Sequence, residues 1–276
     1  MPFEPDQAEL RRRRFRPIPV RMLVPNVITL LAICAGLTAI RLSTEERMGL
    51  AVGLIVFAAV LDGIDGRVAR LIKGQSKFGA ELDSLADFVN FGVAPAVVVF
   101  IWGLGTLRGL GWIAVLVFAL AMGLRLARFN AMIGVERPKW QANYFSGMPA
   151  PAGAITVLLP VYMEFVGTPH GFWTAPLVLV YTLAIALLMV SRLPTWSGKL
   201  IGHHIPRDLV LPIFVVGVVA VALLVTYPWQ TATVATLAYL ASLPFGWSAF
   251  HRRSKAEGDK AMAEGSIEGS ASGGSR

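Results

Sequence analysis

Eight stretches, at about 22–42, 47–70, 80–103, 109–127, 148–166, 172–191, 208–226 and 229–249, are nearly unbroken apolar runs long enough to cross a bilayer as helices. Roughly 20 residues at 1.5 Å each cover the hydrocarbon layer. Nothing else in the chain restricts the fold as tightly, because a backbone in lipid must satisfy its own N–H and C=O groups. The expectation is an all-α, polytopic transmembrane helical bundle of about eight spanning helices. Composition agrees: 15% of the 276 residues are charged, against about 25% in a soluble domain.

Charge placement orients the bundle. With both termini cytoplasmic, 22 of the 25 Lys and Arg fall on the inner side, and only Arg41, Arg47 and Arg108 fall outside. The net charge of +8 then reflects topology and contact with anionic lipid rather than nucleic acid. Residues 1–21 form a basic, proline-broken cytoplasmic segment, 22–250 the bundle, and 251–276 a Gly/Ser/Ala/Glu tail expected to be disordered. A signal peptide over 1–42 is the competing view. Its apolar stretch is longer than the usual 7–15 residue core, which favours a retained first helix. Cys34 stands alone, so no intrachain disulfide is available, and the adjacent His203 and His204 are poorly spaced for one metal.

Against this background the stretch DGIDGRVARLIKGQSKFGAELDSLADFVN, residues 62–90, is anomalous. On a helix Asp62, Asp65, Gly66, Ala69 and Arg70 form one stripe, and Gly79, Asp83, Asp87 and Asn90 form another. The short link at 71–79 makes the two helices antiparallel neighbours whose stripes can face. An ionised side chain at a helix centre costs about 2.5–3.5 kcal/mol on insertion scales, and four carboxylates repel one another besides. Two divalent cations balance four negative charges, and hard oxygen ligands point to Mg²⁺ or Mn²⁺. Gly66, Ala69 and Gly79 leave room for a bulky group, and Arg70 suits bidentate phosphate contact. The pattern describes a site for a metal-bound diphosphate. Two alternatives stand beside it: interfacial aspartates paired with Arg67, Arg70, Lys73 and Lys77, or a cation transporter with carboxylates at mid-membrane.

The spacing Asp62-x2-Asp65-Gly66-x2-Ala69-Arg70-x8-Gly79-x3-Asp83-x3-Asp87 resembles the signature of the CDP-alcohol phosphatidyltransferase family at every fixed position. The resemblance implies that Asp62, Asp65 and Asp83 bind metal, and that Asp87 binds metal and serves as the general base. It implies CDP contacts from Gly66, Arg70 and Ser76. It also implies contacts from PNVIT in the first helix through Asn26 and Thr29, which otherwise read as interhelical hydrogen bonds. A homodimer is implied by the resemblance alone.

Across roughly 22–200, the stretches LVPNVITLLAICAGLTAIR, FGAELDSLADFVNFGVAPA, LRLARFN, GMPAPAGA and SRLPTWSGK are similar to the bacterial membrane-embedded phosphatidylserine synthases of that family. This implies CDP-diacylglycerol and L-serine as substrates, at the cytoplasmic face of a bacterial inner membrane. A zwitterionic acceptor needs a cation for its carboxylate. Arg125, Arg128, Asn130, Arg192 and Lys199 are candidates for it or for lipid phosphate, with topological anchoring as the alternative. Choline, glycerol 3-phosphate and an inositol phosphate remain as other acceptors; Trp140, Tyr144 and Phe145 keep choline open.

Overall fold

The structure, a computed structural model, describes residues 20–74, 76–132, 144–191, 194–196, 207–246 and 248. Arg192, Lys199, Trp140, His203, His204, the 1–19 segment and the 251–276 tail lie outside them. The chain divides into two compact units, one ending at Val98 and one beginning at Val99.

In the first unit, α1 (Val20–Thr44) and α2 (Met48–Leu71) form an antiparallel hairpin. The turn between them places Glu46 at a φ of 61°. The seam is built from small residues: Ala32, Ala35 and Ala58 are buried, with Leu54 and Leu61 packed over them. In lipid, where apolar burial drives little, small side chains let backbones approach and gain dispersion contact. At the end of α2, Lys73 takes a φ of 50°. Its N–H bonds to the Arg70 carbonyl at 3.3 Å and the Gly74 N–H to the Ala69 carbonyl at 2.9 Å. This is a Schellman closure with lysine where glycine is usual. Ser76 then caps α3 (Lys77–Asp87), accepting the Gly79 N–H at 2.9 Å.

The helix continues through a π turn, Phe88–Val93, into α4 (Ala94–Trp102), giving one long apolar helix, Lys77–Trp102. The π turn follows Asp87 directly and buries Asn90, Phe91 and Gly92. Single π turns concentrate at functional sites because the extra residue re-aims the face that follows. Asn90 packs against Gly36 of α1 so closely that a β-carbon on Gly36 would collide with its amide oxygen.

In the second unit, a 3₁₀ turn (Leu104–Leu107) leads into α5 (Gly109–Ala131), which packs on α8 (Thr174–Val190). Two three-residue strands, Tyr144–Ser146 and Pro194–Trp196, pair antiparallel with Phe145 opposite Thr195. They are a small exception to the all-α expectation.

The helix expected at 148–166 is two helices, α6 (Ala150–Val157) and α7 (Leu159–Phe165). Pro160 has no N–H to give the Thr156 carbonyl, which instead accepts the Tyr181 hydroxyl at 2.6 Å. Pro149 and Pro151 sit at the helix start rather than at a kink. The helices α9 (Arg207–Thr226) and 228–246 complete the described residues.

Helices therefore occupy all eight apolar stretches, but their lengths differ. Among the described residues four are long and apolar enough to cross a membrane: Leu23–Thr44, Met48–Leu71, Lys77–Trp102 and Gly109–Ala131. Thr174–Val190 and Val210–Thr226 are shorter apolar helices.

Candidate active site

The two aspartate stripes do face each other. Carboxylate oxygens of Asp62, Asp65 and Asp83, two from α2 and one from α3, lie within 4.8 Å of one another. Asp87, one turn beyond Asp83, joins them through side-chain hydrogen-bonding contact with Asp62.

Asp65 is buried at 3% exposure. Thr29 of α1 points its hydroxyl at Asp65 Oδ2, 2.7 Å away, with the Pro25 carbonyl at 3.0 Å as the other acceptor. A hydroxyl has one proton to give, and the shorter contact goes to the acid.

Asp62, Asp65 and Asp83 form no ion pair with a lysine or arginine among the described residues. Arg70 turns its Nε back onto the Gly66 carbonyl at 3.0 Å and is exposed. For Asp62, Asp65 and Asp83 the described residues therefore show no neutralising pair with Arg67, Arg70, Lys73 or Lys77. The residues present fit a divalent cation: every donor is a hard oxygen, and opposite ligands of Mg²⁺ stand about 4.2 Å apart given bond lengths of roughly 2.1 Å. The carboxylate oxygens lie within 4.8 Å of one another, close to that separation.

The glycines of the signature differ. A β-carbon on Gly79 would stand 2.9 Å from Asn26 Oδ1 and 3.1 Å from Ser76 Oγ, so those three residues converge where α3 begins. A β-carbon on Gly66 would meet nothing within 4 Å. Gly79 is thus small partly for its protein neighbours, whereas the space above Gly66 is open. Ala69 is half-buried on the same face. Ser76, expected at the nucleotide, already serves as the α3 cap.

The acceptor candidates belong to the second unit. Arg125 Nε donates to the Met148 carbonyl at 2.7 Å. Arg128 donates through Nη1 to Val190 O at 2.7 Å and through Nη2 to Ser191 O at 3.2 Å. Both arginines stitch helix ends together. Gly147, with a φ of 83°, allows this: a β-carbon there would stand 3.1 Å from Arg128 Nη2. Asn130 is exposed near the end of α5.

Family comparison meets this geometry at the same residues. A model of the CDP-alcohol phosphatidyltransferase family matches residues 22–190, which include the whole aspartate cluster. The chain belongs to the CDP-alcohol phosphatidyltransferase family. A second model, CDP-alcohol phosphatidyltransferase 2, matches 208–244. Similar proteins named CDP-diacylglycerol–serine O-phosphatidyltransferase include one from Mycobacterium leprae, 40% identical over 250 residues, covering 87% of this chain and 81% of the relative. One from Mycobacterium tuberculosis is 39% identical over 238 residues, covering 83% and 81%. One from Helicobacter pylori is 33% identical over 201 residues, covering 72% and 82%. The chain is thus a phosphatidyltransferase built from apolar, membrane-length helices.

Asn90 is the residue whose environment the sequence reading left blank. It stands in the second stripe without a role, yet it is 1% exposed, and its amide has no hydrogen-bond partner among the described residues. Its signal was the run ADFVNFG, an amide inside an otherwise apolar helix.

Proposed function

We propose that this protein makes phosphatidylserine and CMP from CDP-diacylglycerol and L-serine, at the cytoplasmic face of a bacterial inner membrane. The observation that carries the proposal is the convergence of Asp62, Asp65 and Asp83, which form no ion pair with lysine or arginine among the described residues, in a chain whose similar proteins are named for the serine reaction. The charge asymmetry of the loops supports eight spans with both termini inside, and the family resemblance supports a homodimer.

In this reading Asp62, Asp65, Asp83 and Asp87 hold two divalent ions, Mg²⁺ or Mn²⁺. When bound, these ions offset the charge of the diphosphate and of departing CMP. The chain's own residues do the rest. Gly66 and Ala69 leave the face of α2 open for the nucleotide, while Asn26, Ser76 and Gly79 border it at the start of α3. Arg70 extends a guanidinium toward phosphate, and Thr29 fixes the orientation of Asp65.

Asp87 accepts the proton of the serine hydroxyl as that oxygen attacks the lipid-side phosphorus. The phosphoanhydride bond breaks and CMP leaves with its electron pair. The signature offers no separate nucleophile, so displacement is direct; trapping of a phosphatidyl-enzyme would exclude it. Arg125, Arg128, Asn130, Arg192 and Lys199 are the candidates for the serine carboxylate or the lipid phosphate.

Labelled L-serine supplied to inverted and to right-side-out vesicles tests chemistry and sidedness together. Label should enter extractable lipid in inverted vesicles only, and only with CDP-diacylglycerol and a divalent ion. Equal incorporation from both sides would overturn the cytoplasmic placement, and none from either would overturn the serine assignment.

A further inference from the structure

Away from the signature, the second unit contains a cavity of about 440 Å³ formed by the end of α4, α7, the 166–173 loop and the start of α8. Its volume lies in the range of small-molecule sites, and its lining is mostly apolar with a few convergent polar groups. Among the described residues Glu164 is the only acid lining it. Trp102 Nε1 donates to Glu164 Oε2, and His170 Nδ1 lies 3.5 Å from Oε1. The Trp102 and His170 rings meet at a 59° tilt with centroids 4.8 Å apart, beside this polar corner.

A carboxylate has about four acceptor positions. The indole uses one, and the imidazole contact is loose for a hydrogen bond. The Glu164 side chain is 38% exposed, so acceptor capacity remains directed at the cavity.

The walls add aromatic faces. Phe172 and Trp173 pack edge to face at 5.5 Å, and Tyr181 closes the inner side. Aromatic faces attract weakly hydrated cations, Trp most strongly. A carboxylate beside them repels an anionic head, and the aliphatic remainder of the lining rejects a fully hydrated ion but accepts a hydrocarbon body.

We infer that this cavity binds an amphiphile whose head group is an ammonium, seated against Glu164 and the aromatic faces with its apolar body along α7 and α8. The inference stands apart from the transferase reading, since no residue of the aspartate signature lines the cavity. An ammonium head on an apolar body is available from an aminophospholipid or from a free hydrophobic amine.

The test uses purified full-length protein in nonionic detergent and compares dodecyltrimethylammonium with chain-matched dodecanol by equilibrium binding. Saturable binding of the ammonium at least ten-fold tighter than of the alcohol is expected, with Glu164→Gln losing at least ten-fold for the ammonium alone while keeping CMP release. Native mass spectrometry from nanodiscs of mixed phosphatidylethanolamine and phosphatidylglycerol separates the sources. Glu164-dependent retention of phosphatidylethanolamine marks the lipid as occupant; binding of the free ammonium alone marks the soluble amine. Equal affinity of the wild-type protein for the two probes would overturn the inference, and that comparison needs no variant to fold.

Discussion

The two units each place acids in apolar surroundings and treat them differently. Glu164 in the second unit is answered locally, by the Trp102 indole and the His170 imidazole. In the first unit Asp62, Asp65 and Asp83 converge, with the Thr29 hydroxyl and the Gly66 backbone serving Asp65 and Asp87 meeting Asp62. A lone acid can be met in part by a donor from its own chain, which lowers the cost of a charge away from water. Three acids brought together need more than that, and under the proposed function a divalent cation supplies it.

Asp87→Asn should break the first unit's chemistry most severely. Loss of a general base removes about 10²–10⁴ in rate, so CMP release should fall by at least that much while CDP-lipid binding is partly kept. Wild-type turnover in this variant would remove Asp87 from the base role.

The glycines sharpen the contrast between protein contact and ligand space. Gly79→Ala drives a β-carbon into Asn26 and Ser76, so both thermal stability and CDP-lipid affinity should drop, the affinity by about ten-fold, or about 1.4 kcal/mol. Gly66→Ala meets no protein atom; its stability should be unchanged while its KM for CDP-diacylglycerol rises several-fold. An unchanged KM would mean that the open face of α2 is not where the nucleotide lies.

Stability without metal tests the comparison itself. With chelator present, Asp83→Asn relieves repulsion and should raise the thermal midpoint by about 2–4 °C, the equivalent of roughly 1 kcal/mol in a chain of this size. Glu164→Gln weakens the acceptor of Trp102 and should lower the midpoint by a similar amount. Opposite signs are the expectation; two losses would show that the aspartates have protein partners after all. The smallest effect belongs to Thr29→Val, which removes the hydroxyl from Asp65 and should slow turnover a few-fold, read as kcat against metal concentration.

Much of this was legible in the residue order, because helical period ties sequence spacing to a face. Asp62 and Asp65, three apart, and Asp83 and Asp87, four apart, had to share faces, and a short link had to bring those faces together. What escaped was non-periodic. The π turn at Phe88–Val93 leaves no mark in an apolar run, since its extra residue per turn depends on how Asn90 packs on Gly36. The break at Leu158 precedes Pro160, whereas Pro149 and Pro151 begin a helix, and a proline in the residue order does not say which of the two it does. Glu164, Trp102 and His170 come from separate segments, with Trp102 and Glu164 62 positions apart, and no spacing rule joins them. Charge alone made Arg125 and Arg128 candidates for the acceptor or for anchoring, and no spacing rule marked the backbone carbonyls that also engage both.

The central claim is that the facing aspartates form the metal and diphosphate site of a serine phosphatidyltransferase. The most direct measurement follows CMP release by the purified full-length protein with CDP-diacylglycerol and Mg²⁺ or Mn²⁺ against L-serine, glycerol 3-phosphate, choline and an inositol phosphate. The account expects metal-dependent CMP release with L-serine, matched mole for mole by phosphatidylserine and abolished by Asp87→Asn. Release driven by another acceptor and not by serine, or release that persists in chelator, would contradict it.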